Sequence, residues 1–364
     1  MTTDVFSPLE VRSTTARNRI AVSPMCQYSC DDRDGLPTDW HRVHLGSRAV
    51  GGAGVVLTEA TAVEPRGRIT PEDLGIWSDD HRDALAPIAE FVKAQGATPG
   101  IQLAHAGRKA SKTRPWEGSE PLQPDEGGWE TVAPSAVPYP YEGDPPATRR
   151  LDRDGVAAVV ESFREGARRA REAGFEIAEV HAAHGYLLHE FLSPVANRRE
   201  DEYGGSFENR TRLVREVTEA ARGEMGDRAV FVRISATDWL DDRDAWTVDQ
   251  SVRLADALHD AGADLVDVSS GGIHPDQDVE WVGPNYQLRF AERIRAERET
   301  DVGVGTVGGI TTAQQADAVV RNGRADLALV GREFLRDPYF PLHAARELGR
   351  EDAVDVPVQY DRAF

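Results

Sequence analysis

The segment His181-Ala-Ala-His-Gly-Tyr186 sets two imidazoles three residues apart and a phenol two residues further on. Two kinds of chemistry are open to such a trio. The histidines could be half of a metal site, but the spacing lacks the Glu of the helical zinc-protease motif and a third ligand would be needed. They could equally donate hydrogen bonds to one substrate oxygen, with Tyr186 beside them as a proton donor; the residue types favour this oxyanion reading. Cys26, in Ser23-Pro-Met-Cys-Gln-Tyr28, reads either as a small buried hydrophobe or as a thiol with a redox role, which its surroundings must decide. Arg233 stands in the otherwise apolar run Ala-Val-Phe-Val-Arg-Ile-Ser. A charge buried in a strand must have a partner. That partner is either an anionic ligand, or one that becomes anionic on reduction, or an internal carboxylate. Gly308-Gly309 and Gly331-Arg332 join backbone that a ligand can approach closely to helix N-termini, an arrangement that holds phosphate, although glycine also serves such turns for purely structural reasons. With Arg233 they point to a phosphorylated cofactor.

These residues are far apart in sequence and share a site only if a fold gathers them. Eight short apolar runs recur: 20–25, 54–61, 98–104, 175–181, 229–235, 263–269, 302–307 and 325–331. Helical periodicity lies between them, for instance at 151–173, 207–225, 248–261 and 311–322. Several of these helices run into Gly, as at Gly174, Gly226 and Gly262, which suits a left-handed cap. Apolar strands that return through helices imply a parallel sheet buried on both faces, and eight repeats favour an α/β fold closed as a single (β/α)8 TIM barrel. Each candidate then falls at a strand end, on the barrel's C-terminal face. A Pro/Trp-rich segment, about 107–150, follows the third strand and is expected to cap that face. No linker divides the chain, so residues 1–364 are expected to form one domain.

The 364 residues carry a formal charge of −20, which argues against nucleic acid or an anionic membrane as partner. Of 42 basic residues only three are lysines (Lys93, Lys109 and Lys112), a pattern expected either of a halophilic protein kept soluble in high salt or of a GC-rich genome. Cys26 and Cys30 are too few for a disulfide framework or a four-cysteine metal or iron–sulfur site. Neither a leader's apolar core nor an 18-residue apolar run is present, and a cytoplasmic location is expected.

Together the segments 23–28, 101–109 (Ile-Gln-Leu-Ala-His-Ala-Gly-Arg-Lys), 181–194, 201–206 with 208–210, and 322–327 through 331–338 resemble the Old Yellow Enzyme family of flavin reductases, in its thermophilic-like branch that includes the xenobiotic reductases. The resemblance implies FMN as cofactor, NADPH or NADH as reductant, and reduction of activated C=C bonds in α,β-unsaturated carbonyl or nitro compounds. It implies that Ser23, Pro24, Met25 and Cys26 line the flavin, that Ala60 and Gln102 contact its ring, and that Arg233 stabilises its reduced form. Gly308, Gly309, Gly331 and Arg332 would hold the phosphate. His181 and His184 would bind the substrate's oxygen, Tyr28 would flank the substrate, and Tyr186 would donate the proton. The tail, about 353–364, resembles one whose arginine, here Arg362, enters a neighbouring subunit's site in a homodimer or homotetramer. Two departures stand out: the insertion at 112–130 is longer than in compact members, and Phe364 ends the chain where relatives often have Trp. The alternatives are a metal-dependent barrel lyase or hydrolase using His181, His184 and Glu179 or Glu59, and a barrel that only binds.

Overall fold

The computed structural model describes residues 3–363, so Phe364 lies outside the described residues. Eight parallel strands close a barrel in sequential order. They are β1 (Ile20–Val22), β2 (Val55–Ala62), β3 (Thr98–Ala104), β4 (Ile177–Ala182), β5 (Ala229–Ser235), β6 (Leu265–Ser269), β7 (Gly303–Val307) and β8 (Leu327–Val330). The helices that return the chain outside it are α1 (Asp39–Val50), α2 (Asp79–Ala94), α3 (Arg153–Glu172), α4 (Arg212–Met225), α5 (Val248–Asp260), α6 (Leu288–Glu297), α7 (Ala313–Arg321) and α8 (Phe340–Glu347).

Local chemistry sets the helix ends. Thr247 and Gln250 form a reciprocal capping box at the start of α5, and Thr312 and Gln315 another before α7. Past α5, Gly262 has φ +99°, and a Cβ there would meet Cγ of Arg222 at 2.6 Å, so both conformation and space exclude a side chain. On α3, Val156, Val159, Phe163, Ala167 and Ala170 recur every three or four residues and are buried against the sheet.

Inside the barrel the side chains alternate with period two, so every second residue of a strand stacks in one inward column. Phe231, Ile177, Leu57, Leu265 and Leu329 fill the lower part. Leu9 and Ala16, from an antiparallel hairpin (Leu9–Val11 with Thr14–Ala16), pack into the same cluster and close that end. The sequence reading had no place for this hairpin. It also ran the first strand to residue 25, whereas the strand ends at Val22 and 23–28 is a loop. The helix expected over 207–225 breaks at Thr211 into Phe207–Arg210 and α4. The capping segment is not an open loop: it holds three short 3-10 turns and a parallel ladder of Thr131–Ala133 with Thr148–Arg150. It is tied to the barrel mouth where Trp129 Nε1 donates to the Arg66 carbonyl (3.0 Å) and the Tyr141 hydroxyl donates to that of Lys109 (3.2 Å).

Because Phe231 fills the barrel's lower layer with no room to collapse, Phe231→Ala is expected to cost about 3–5 kcal/mol. A lower urea midpoint at unchanged slope, followed by circular dichroism, is the check.

Candidate active site

The same alternation that buries Phe231 brings Arg233 into the barrel two residues later, and Ser235 two beyond that. Glu179 follows Ile177 and Asp267 follows Leu265 in the same way, so a charged layer lies directly above an apolar one. Its bonds are short: Arg233 Nε donates to Asp267 Oδ2 (2.5 Å), its Nη2 donates to Ser23 Oγ (2.9 Å), and Gln102 Nε2 donates to Glu179 Oε1 (2.8 Å). Glu179 lies 3.8 Å from Arg233 Nε. Of the partners that the sequence leaves open for Arg233, the structure shows the internal carboxylate. Burial works against the Arg233 charge, and Asp267 and Glu179 outweigh it, so the guanidinium stays protonated. Burial also pushes the Glu179 carboxyl up to about 8, with Asp267 adding to the rise and Arg233 opposing it. Burial thus favours the neutral form of Glu179 in the layer that holds Arg233 charged.

His181, Tyr186 and His184 stand above this layer. The His181 ring meets those of His184 and Tyr186 edge to face, each at 5.1 Å. His181 Nδ1 accepts the N–H of Ala183 (3.2 Å), which leaves the proton on Nε2. His184 occupies the left-handed region at φ +59°, and three bonds hold it there. Its N–H donates to Ser235 Oγ (2.9 Å), its carbonyl accepts Lys109 Nζ (2.8 Å), and its Nε2 shares a bond with Ser269 Oγ (2.7 Å). Burial, helped by nearby cations, lowers both histidines well below their usual range, so both are neutral at pH 7. Burial likewise holds the Tyr186 phenol protonated. Below them, Gly185 N–H donates to His189 Nδ1 (2.8 Å), and His189 Nε2 lies 2.9 Å from the buried Asp238 carboxylate.

The 23–28 loop forms the opposite wall. The register of β2 against β3 shifts between Leu57 and Ala60. At this irregularity Glu59 Oε2 accepts the N–H groups of Gln27 (2.8 Å) and Tyr28 (3.4 Å), and Oε1 lies 3.2 Å from His41 Nε2. Tyr28 is held at φ +51° by this anchor. Cys26, Tyr28 and Tyr186 pack around Ala60, Ala104 and Ala106. Burial, with the carboxyls of Asp73 and Glu59, pushes the Cys26 pKa up, so it is a thiol and not a thiolate.

Met25, His184, Arg233, Gly308, Gly309, Gly331 and Arg332 all line one open cavity of about 450 Å³, within the range of cofactor sites. A Cβ at Gly331 would meet only Met25 Sδ, at 3.8 Å, so the backbone there faces free space. Ala60, Cys26, Tyr28 and Tyr186 belong to the adjoining cluster, and His181 bridges the two. Gln102 is part of the charged layer below. Arg362 is not brought here: it is exposed on the tail of its own chain. His105 turns away to bond Glu64 (2.7 Å). Sequence reasoning missed Lys109, whose buried ammonium lies 5.1 Å from the Tyr186 and Tyr139 rings and is lowered to about 7 by burial. It also missed Asp73, which accepts the N–H of Ile69 and is raised to about 7 by burial. Lys109 had a signal, as one of three lysines; Asp73 had none.

The metal alternative does not find its ligands. Glu179 is engaged by Gln102 and Arg233, and Glu59 by the 27–28 backbone. Among the described residues no group of three or more His, Cys, Asp or Glu side chains is placed to hold a metal.

A closed barrel with a cation in its pocket floor, a glycine rim beside Arg332 and a neutral His pair has the features of a cofactor-dependent enzyme. Residues 4–351 match the model of the NADH:flavin oxidoreductase / NADH oxidase family, and the chain belongs to that family. It is 47% identical over 364 residues to an NADPH dehydrogenase of Geobacillus sp. (strain WCH70), covering 100% of this chain and 99% of the relative. It is 44% identical over 365 residues to one of Bacillus subtilis (strain 168), covering all of both chains. Among solved structures, morphinone reductase superposes with a TM-score of 0.78 at 28% identity, over 96% of this chain and 90% of that one. The old yellow enzyme homologue from Zymomonas mobilis gives 0.76 at 28%, over 94% and 92%. The chain is an FMN-dependent NAD(P)H oxidoreductase of the Old Yellow Enzyme type. The residues present fit FMN: Gly308, Gly309, Gly331 and Arg332 line one cavity and would leave backbone and a guanidinium facing a phosphate there, and buried Thr306 Oγ1 has no hydrogen-bond partner among the described residues. No helix among the described residues is long and apolar enough to cross a membrane.

The Glu179 carboxyl titrates higher folded than unfolded, so the native state holds the extra proton and stability falls as pH rises from about 4.5 to about 8. In Glu179→Gln this contribution vanishes. The variant's urea midpoint, measured at pH 5, 6.5 and 8, is expected to fall less with pH than that of the wild type.

Proposed function

We propose that this protein reduces activated C=C bonds at the mouth of its barrel, with His181 and His184 binding the carbonyl or nitro oxygen and Tyr186 protonating the α-carbon. The observation that carries this reading is the fixed tautomer of His181: its Nδ1 accepts the Ala183 N–H, so its Nε2–H remains to donate, beside the His184 and Tyr186 rings. The chemistry that FMN supplies when bound is hydride transfer, taken from NADPH or NADH and given to the β-carbon. Both imidazoles are neutral, so they stabilise the developing enolate-like charge by N–H donation rather than as cations. His184 Nε2, which shares a 2.7 Å bond with Ser269 Oγ, would exchange that partner for the substrate oxygen. Tyr186 remains protonated at every working pH, as a donor must.

The remaining roles are assigned on the same reading. Ser23, Pro24, Met25, Ala60 and Gln102 would hold the flavin ring, Arg233 would stabilise its reduced form, and Gly308, Gly309, Gly331 and Arg332 would hold the phosphate. Tyr28 flanks the substrate. Cys26, as an un-ionised thiol, tunes the flavin's potential and the fit of the substrate, and nothing in its surroundings activates it as a nucleophile. Arg362 completes the pocket of a second copy in a homodimer or homotetramer. An acidic, lysine-poor surface suits work in a saline cytoplasm.

Pure protein is expected to show a flavin absorbance band that bleaches anaerobically with NADPH and returns with 2-cyclohexenone; failure to bleach overturns the reading. His181→Ala is expected to lose about 10²–10³-fold in kcat/KM for the enone. Retained efficiency would rule out the oxyanion role.

Cys26→Ala should leave turnover measurable while shifting the flavin's midpoint potential in a spectroelectrochemical titration. Complete inactivity with flavin still bound would contradict the tuning role.

A further inference from the structure

A second cleft, of about 310 Å³, lies between the capping segment and the loops that follow β4, β5 and β6. Arg108, Arg198, Arg243 and His274 line it, Pro138 and Pro140 close one side, and Asp244 is the one acid among its lining residues. On a chain of net charge −20 this is a local reversal of sign. Two of the cations are already partnered: Arg243 bonds Asp242 (2.9 Å) and Asp276 (3.2 Å), and His274 lies 3.4 Å from Asp276.

The other two form no ion pair among the described residues; the one carboxyl near Arg108 is that of buried Glu190, which accepts the Arg108 backbone N–H (2.9 Å) and is pushed up to about 8 by burial. Arg108 is only 2% exposed, its guanidinium donates to two uncharged carbonyls, Val137 (3.3 Å) and Ile273 (2.8 Å), and its buried Nε has no partner. Arg198 is exposed, and its guanidinium makes no hydrogen bond or ion pair among the described residues. A buried arginine held by carbonyls in one orientation, with a free arginine beside it, is a site prepared for an anion.

The cleft also connects to the reacting centre. Arg108 and Lys109 are consecutive and lie against the same Tyr139 ring, at 5.6 and 5.1 Å, while Lys109 touches Tyr186 on its other side at 5.1 Å. One lysine and one tyrosine ring thus separate the proposed proton donor from the cationic cleft. A ligand with its reactive ring beside Tyr186 and its phosphates several bonds away would span both.

We propose that this cleft receives the phosphates on the adenosine side of the reduced nicotinamide dinucleotide, and that Arg108 and Arg198 favour NADPH over NADH by binding its 2′-phosphate. The inference rests on the function proposed above. Arg108 sets the orientation and contributes the buried charge. Arg198 closes over the phosphate from the solvent side, and an extra phosphate dianion meets both.

Arg198 is the residue to change, since it is exposed and the fold does not depend on it. The FMN-loaded protein and its Arg198→Ala and Arg198→Glu variants are mixed anaerobically with NADPH or NADH, and bleaching is followed by stopped flow. The Kd for NADPH should rise about tenfold in Arg198→Ala and further in Arg198→Glu. The value for NADH should change by less than about threefold. Adenosine 2′,5′-bisphosphate should compete with NADPH on the wild type and lose potency on the variants. Equal changes for NADPH and NADH, or none, overturn the proposal. Dithionite-reduced variants re-oxidised by 2-cyclohexenone provide the separate arm: a defect confined to that step would assign the cleft to the substrate and overturn it as well. If neither nicotinamide bleaches the wild type, the function itself fails, a result distinct from bleaching by NADPH that is indifferent to Arg198.

Discussion

A guanidinium inside a barrel is tolerated only if its charge is answered, and the Arg233–Asp267 pair with Glu179 beside it is the constraint around which this site is arranged. Removing water from one arginine costs several kcal/mol, and a single carboxylate at hydrogen-bond distance offsets most of that. A second full negative charge would overshoot, and burial works against it by pushing the Glu179 carboxyl toward its neutral form. The result is a layer that is closely balanced yet locally cationic toward the mouth. Below it the inward residues are mostly apolar, from Phe231 and Leu265 to the hairpin plug, and the Thr98 hydroxyl among them donates to the Thr15 carbonyl of that hairpin (3.3 Å). Above it, the histidines and Tyr186 gather.

That charge layer also contributes to the protonation of the rim. Burial is the main cause that keeps His181 and His184 neutral, and the same Arg233 that would stabilise a reduced flavin adds to it by making a further positive charge expensive. Lys109 acts in the same direction from the other side, its ammonium bound by the carbonyls of His184 and Gly272. The left-handed backbone at His184 is therefore stabilised by the group that helps keep its ring uncharged. Position and protonation state are coupled through one set of contacts.

The rim is built from loops, but each is fastened to a strand end by a buried polar anchor. Glu59 holds the Cys26–Tyr28 loop, Ser235 and Lys109 hold His184, and His189 with Asp238 holds Gly185. None of these anchors needs to touch a substrate. Their effect is to fix the reactive groups at distances that a loop alone would not maintain. The capping segment is joined to the same system by Trp129 and Tyr141, so its long Pro-rich course ends in specific bonds to the mouth.

The strands' apolar runs and the glycines that end the helices were readable in the chain because they reflect local burial and local conformation. The eightfold repetition of those runs was enough to imply closure. So was the collection of His181, His184, Tyr186, Cys26 and Gly331 at strand ends, since period-two alternation and strand termination are properties of sequence. Which partner Arg233 would take was not readable, because Asp267 lies 34 residues away and meets it only through the register of two neighbouring strands. The hairpin plug was equally hidden, being too short to carry a period. Asp73 and Lys109 entered the site only when β2, β3 and the capping segment were folded over it. Sequence by itself determined what each strand end could offer; tertiary structure alone decided which charges would face one another, because electrostatic pairing depends on distance in space and not along the chain.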